Sequence, residues 1–389
     1  MKRITTAERR ARLVTRHHLG GSAAGVETVA ADLVGLHSSD PVTIYLSVRA
    51  RVAGFRIDDL EAALYDRKSL VRMLGMRRTL FVVPVDLAAI MDVSCARHLV
   101  GAERRRLTMM LETQNVADDG ESWLIAVEQA TVAALADLGE ATAAELTAVV
   151  PELGQKLMFG EGKTWGGLVG VSTRVLFLLA TTGRILRGRP RGTWRSSQYR
   201  WATTDGWLDG GLADVDPAWA EAELLRRWLA SYGPGTLTDL RWWTGWTLAK
   251  TRAALARLEV VEVELEDGAG LALSSDVETD EAPPPSVALL PGLDPSVMGW
   301  KERLWFLGDH QAQLFDTNGN AGPTVWIDGR IVGGWAQRPD GEIVAKVLED
   351  VGREALNMIE AESAALSEWF GEDRVKPRFR TPLEKDLVG

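Results

Sequence analysis

The chain has 389 residues, 46% of them apolar, with a mean hydropathy of −0.06. That is the composition of a soluble globular protein, with room for two to four domains at roughly 150 residues each. Apolar runs such as 169–180 and 81–85 fall short of the ~20 residues a membrane span needs, and the charged start Met1-Lys2-Arg3 has no apolar stretch behind it. One cysteine, Cys95, excludes an internal disulfide framework. The histidines His17, His18, His37, His98 and His310 form no HExxH or HxH pair, so no metal or other cofactor is expected. A cytoplasmic protein without a membrane partner is expected. The net charge of −10 splits into +6 for residues 1–200 and −16 for 201–389. Phosphates respond to a local patch within about one Debye length, roughly 8 Å, so an acidic whole still permits a nucleic-acid partner. Chance segregation of solvated charges is the competing reading.

In chain order, Thr5-x-x-Glu8 has capping-box spacing and predicts a helix to about His18. Residues 27–36 read as a second helix. Pro41 suits the first position of a third helix, reaching about Arg51, with Ser39 or Asp40 as its cap. Asp58-x-x-Glu61 opens another, and residues 72–84 read as two strands around a Gly75 turn. Helices followed by a small hairpin make a winged helix-turn-helix. The pattern recurs: helices at 121–138, from Thr142 and at 165–182, then strands near 184–186 and 199–202. It recurs again at 217–232, from Thr236 and at 247–258, then strands 260–265 and 271–274 around Asp267-Gly268. Residues 276–285, acidic and closing on Pro283-Pro284-Pro285, have linker composition. Beyond them, short apolar runs and the turn pairs Asn318-Gly319 and Asp328-Gly329 predict a small sheet or barrel, packed by a helix over 350–370. The expected fold is α+β: winged-helix domains at 1–115, 116–215 and 216–280, then a β-rich, barrel-like domain at 281–389.

Two segments carry candidate chemistry. Arg184, Arg187, Arg189, Arg191, Arg195 and Arg200 follow one another without an acid, with Trp194 and Tyr199 between them. Arginine forks bind phosphates and rings stack on bases, so this reads as a DNA-binding wing; a solvated loop is the alternative. Arg77-Arg78 and Arg104-Arg105-Arg106 are weaker versions. The second segment is Leu36-His37-Ser38-Ser39-Asp40-Pro41, where one predicted helix stops and another starts. His37 could act as a base and Ser39 could hold a water or anion there. Equally, Ser39 or Asp40 could be only an N-cap, with His37 packed at a turn. Trp242-Trp243, Trp246 and Trp228 read as core, and Asp294 and Asp328 as structural turn residues. The glycine-rich stretch 160–167 lacks GxxxxGK[ST], and no strand clearly precedes it.

Several segments, in order, give the chain a wider likeness. They are Leu33-Val-Gly-Leu-His-Ser-Ser-Asp-Pro41, Tyr45-Leu-Ser-Val-Arg-Ala-Arg51, Met76-Arg-Arg-Thr-Leu-Phe-Val-Val-Pro84, Tyr232-Gly-Pro-Gly-Thr236, Trp243-Thr-Gly245, Leu289-Leu-Pro-Gly-Leu-Asp-Pro295 and Trp326-Ile-Asp-Gly-Arg-Ile-Val-Gly-Gly-Trp335. Through them the chain resembles the winged-helix DNA glycosylase family of the AlkZ/YcaQ type over nearly its full length. The resemblance implies three tandem winged-helix domains with a C-terminal β-barrel. It also implies monofunctional excision of alkylated or crosslinked purines from duplex DNA, in self-resistance to a DNA-alkylating natural product. Arg49, Arg51, Arg77 and Arg78 lie in the matching segments and join the DNA-binding candidates. The family motif, Gln-x-Gln or Gln-x-Asp before Asp-Pro, falls on His37 and Ser39, which become the candidate catalytic pair. A monomer is expected. A non-catalytic DNA-binding protein, a regulator or lesion sequestrant on the same scaffold, is the alternative.

Overall fold

The computed structural model describes residues 2–163, 166–278 and 282–389. The chain forms two units, each discontinuous in sequence: Met1–Glu61, Phe81–Val83 and Glu221–Gly389 in one, Ala62–Leu80 and Pro84–Ala220 in the other.

In the first unit the helix Thr6–Arg16 starts from a full capping box, Thr5 and Glu8 each bonding the other's backbone N–H. Two backbone donors that a helix start otherwise leaves unsatisfied are thereby met. The helices Val26–Asp32 and Pro41–Arg49 follow. Leu237–Thr244, Leu248–Leu255 and, from Glu221 on, the helix Pro217–Tyr232 come from the middle of the sequence. The hairpin Val260–Leu265 with Gly268–Leu273 closes this group, and the N-terminal strand Lys2–Arg3 pairs with it in parallel, Lys2 opposite Val263. Nothing in a two-residue strand announces itself in sequence. Trp228, Trp243 and Trp246 are buried, as the helical spacing predicts, while Trp242 is only half-buried; Trp228 stacks on Tyr232 at 5.6 Å.

The C-terminal strands Val287–Leu290, Thr324–Ile327, Arg330–Gln337 and Ile343–Val347 form an antiparallel sheet in that order. The first and last are its edges, so among the described residues this sheet is open, not a closed barrel. Asp328-Gly329, both at positive φ, makes the tight turn between its second and third strands. Not every short apolar run beyond the linker is a strand: Leu304–Leu307 folds as a helical turn. The long helix is Gly352–Phe370, and a final helix, Pro382–Val388, was not expected.

In the second unit the long helices are Arg97–Thr113, Gly120–Leu138 and Val171–Thr181. Gly139, at φ 74°, ends the second as a left-handed residue must. The third begins six residues later than the predicted 165, because 167–170 is a strand paired with Lys156–Phe159. A strand therefore does precede the glycine-rich stretch, but a strand also follows it, so no helix start is offered to a phosphate. Thr164 and Trp165 of that stretch lie outside the described residues. The strands Leu70–Leu74, Ile185–Pro190, Tyr199–Thr203 and Glu140–Ala141 lie side by side in that order, antiparallel.

The linker reading of 276–285 holds only in part. Asp276 is an anchor, taking the guanidinium of Arg12 at 3.2 Å and of Arg16 at 2.7 Å. Residues 279–281 of that stretch lie outside the described ones. No helix among the described residues is long and apolar enough to cross a membrane.

Candidate active site and DNA interface

The helix Val26–Asp32 ends in a tight reversal. Val34 and Gly35 both take positive φ, and the Gly35 N–H returns to the Ala30 carbonyl at 2.8 Å. A Cβ on Gly35 would stand 2.8 Å from Cγ1 of Val83, so only glycine lets the chain come this close. The next two residues form a short strand, Leu36 opposite Val82 and His37 opposite Phe81. His37 therefore sits on a strand rather than directly at a helix start. It is 5% exposed, its ring meets Phe81 edge-on at 5.2 Å, and Nδ1 is shielded from solvent.

Ser38 is buried and Ser39 half-buried. Asp40, not Ser39, is the N-cap of Pro41–Arg49: its Oδ1 accepts from the Val42 N–H at 3.2 Å. Its Oδ2 accepts from the backbone N–H of Arg378 at 2.9 Å, and the Ser39 carbonyl accepts from Nη1 of Arg378 at 3.1 Å. The carboxylate of Asp40 thus occupies the positive end of this helix, leaving less room there for an external anion than the sequence suggested. Ser39 is free of any capping duty.

Arg49 and Arg51 point to different ends. Arg49 is half-buried and ion-paired with Glu362. Arg51 is fully buried; its two terminal nitrogens lie 3.0 and 2.7 Å from the Asp294 carboxylate, and Nε donates to the His17 carbonyl at 2.8 Å. Asp294 also accepts from Ser47 Oγ at 2.6 Å and caps the helix Pro295–Met298. A guanidinium so enclosed has no face for a phosphate, so Arg51 is corrected from a DNA contact to a structural ion pair. The same network holds His17, with Nδ1 2.8 Å from Ser296 Oγ and the ring 5.8 Å from Trp300. Burial, then Arg51, pushes the His17 imidazole pKa well below its usual value.

The other candidates belong to the second unit. Arg184, Arg191 and Arg195 are exposed. Arg187 lies over the Trp201 ring at 4.4 Å, and burial followed by the nearby Arg72 pulls its pKa down to about 10. Arg189 lies over Tyr65 at 4.6 Å and pairs with Asp66 at 3.1 Å. Arg72, opposite Arg187 in the sheet, lies over Tyr199 at 4.4 Å. Ring faces carry negative charge toward these cations, which offsets part of the repulsion between neighbouring arginines. Trp194 is buried, so it is no base-stacking ring. Arg77 is half-buried, its pKa lowered to about 10 by burial, and Arg78 reaches Glu103 at 2.5 Å. Arg104 is tied to Glu121 and Glu128.

Arg378 and Gln337 escaped the sequence reading, although the alternation Arg374, Lys376, Arg378, Arg380 was there to be seen. No group of three or more His, Cys, Asp or Glu among the described residues could hold a metal ion.

Comparison with known proteins adds a family. The DNA glycosylase AlkZ-like family matches residues 30–369, a span that contains the His37–Asp40 segment. The DNA glycosylase AlkZ of Streptomyces sahachiroi has a similar structure: TM-score 0.74 and 21% identity, over 97% of this chain and all of that one. No curated protein matches the sequence.

Proposed function

Since the chain belongs to the AlkZ-like DNA glycosylase family, we propose that it excises bulky N7-alkylated purines or crosslinks from duplex DNA by hydrolysing the N-glycosidic bond. The family match across 30–369 carries this reading, because it includes the strand-to-helix segment that presents His37 and Ser39. We propose three winged-helix domains, at 1–115, 116–215 and 216–280, and a β-rich domain at 281–389 built on its open antiparallel sheet. The order of helices and hairpins supports that division.

The chemistry asks little of the protein. N7-alkylguanine is already cationic, so its base leaves with the bonding pair and needs no general acid. Water adds its oxygen to C1′ and gives up a proton. His37 is the base that takes that proton. Ser39 holds the water or a phosphate oxygen. General-base help is typically worth ~10²–10⁴-fold. The segment 36–51 contains no lysine, so no amine stands in it to form a Schiff base with the abasic sugar; this supports monofunctional action. A channel that tolerates bulky adducts would avoid the few kcal/mol of base flipping, in keeping with a role in self-resistance to a DNA-alkylating natural product. The protein acts as a cytoplasmic, nucleoid-associated monomer without a cofactor.

The experiment is incubation with duplexes bearing a panel of N7-guanine adducts, followed by alkaline cleavage of abasic sites. Strand breaks at the adduct are expected. Binding without breaks on every adduct would favour a non-catalytic lesion-binding protein or regulator. The observation favouring that second reading is the 5% exposure of His37.

A further inference from the structure

The segment 371–381 has no regular structure, yet it is fastened at both ends. Gln337, closing the strand Arg330–Gln337, donates from Nε2 to the Asp373 carbonyl at 3.0 Å and accepts from the Val375 N–H at 2.8 Å. At the other end Arg378 is bonded twice to the motif, to Asp40 through its backbone and to Ser39 through its guanidinium. Between these points the side chains alternate. Val375, Pro377 and Phe379 are half-buried and line a narrow cleft against Leu46, Leu293 and Trp335. Arg374, Lys376 and Arg378 are exposed, and 374–380 contains four cations and no acid. Extended chain places alternate residues on opposite faces, so the apolar anchors hold the cations outward.

Two of the four are engaged elsewhere: Arg374 with the carbonyls of Gly371, Asp373 and Asp340, Arg380 with Glu384. Lys376 and Arg378 remain exposed, Arg378 held against Ser39 and Lys376 two residues before it, in a half of the chain that carries −16. An arginine fork can give one N–H to the Ser39 carbonyl and offer others to a phosphate, while lysine acts as a point charge. We propose that this strap is a phosphate track: Lys376 and Arg378 bind backbone phosphates flanking the nucleotide to be excised. The inference rests on the reading that the His37–Ser39 segment acts on DNA, and it assigns the strand contact beside that segment.

The test uses the full chain and a labelled duplex with a central tetrahydrofuran abasic analogue, its affinity followed from 50 to 200 mM salt. Lys376→Ser with Arg378→Ser should make the slope of log K against log salt shallower by about 1.8, at about 0.9 per phosphate. Wild type should therefore lose about tenfold more affinity than the variant over that range. Lys376→Glu alone, at an exposed side chain, should weaken binding without lowering the melting temperature. Methylphosphonates at the phosphates flanking the analogue should weaken wild type and barely affect the double variant. An unchanged slope, or equal methylphosphonate penalties in both proteins, would overturn the track. If wild type excises while the slope is unchanged, the track alone fails. If wild type excises nothing while the slope responds, the glycosylase reading fails and the track stands.

Discussion

At the scale of single residues, the short strand Leu36–His37 separates two duties that the sequence had left together. Asp40 caps the helix and Ser39 does not. His37→Ala should lower single-turnover excision by about 10²-fold or more, with DNA affinity within a few-fold, and Ser39→Ala should cost less. Ser39→Ala should leave the melting temperature unchanged, whereas Asp40→Ala should lose about 1 kcal/mol as a cap. Excision that survives His37→Ala removes His37 as the base. His17 sets a pH dependence of stability. Its folded-state pKa is depressed by burial and then by Arg51, so on acidification the unfolded chain takes up a proton that the folded chain refuses. Stability is complete above the unfolded histidine pKa of about 6.5 and falls as pH drops below it, by up to about 1.4 kcal/mol per pH unit. Urea titrations at pH 7.5 and 5.5 should show this loss in wild type and a smaller one in His17→Gln. Equal losses would mean that His17 is protonated in the fold.

Among the elements, the strands Ile185–Pro190 and Tyr199–Thr203 show how a charge run divides. Residues on the strands are drawn onto aromatic faces, as Arg187 is on Trp201, while Arg184, Arg191 and Arg195 stay exposed. If those three meet phosphates, replacing them with Ser should make the salt slope shallower by about 2.7. Arg187→Ser should instead chiefly lower the melting temperature, since it removes a stacked side chain. A salt slope that responds to Arg187 and not to the exposed three would reverse this assignment.

For the whole molecule, the first unit gathers residues that lie far apart in the chain. Arg51 meets Asp294 across 243 positions and Asp40 meets Arg378 across 338. The strap and the motif therefore depend on one another, and removing the C-terminus should disturb the motif before any DNA is added. If three winged-helix domains in one chain supply what a regulator obtains by dimerising, light scattering should give about the 42.5 kDa of a single chain without duplex, and the mass of one chain plus one duplex when DNA is bound. A stable dimer would weaken that argument.

What the sequence determined by itself was mostly local: the helix starts at Thr5, Thr142 and Thr236, the Asp328-Gly329 turn and the buried tryptophans at helical spacing. These depend on interactions over a few residues, which spacing records. His37 and Ser39 stand before Asp40-Pro41 in the sequence, but their candidacy as a catalytic pair came from the family resemblance and not from spacing. Other features were decided only by tertiary structure: the strand under His37, the burial of Arg51, the stacking of Arg187, the clamp on Arg378. An arginine reads the same in sequence whether it faces a phosphate, a ring or a carboxylate. The partner that decides its role is brought to it by packing between segments that the sequence keeps hundreds of residues apart.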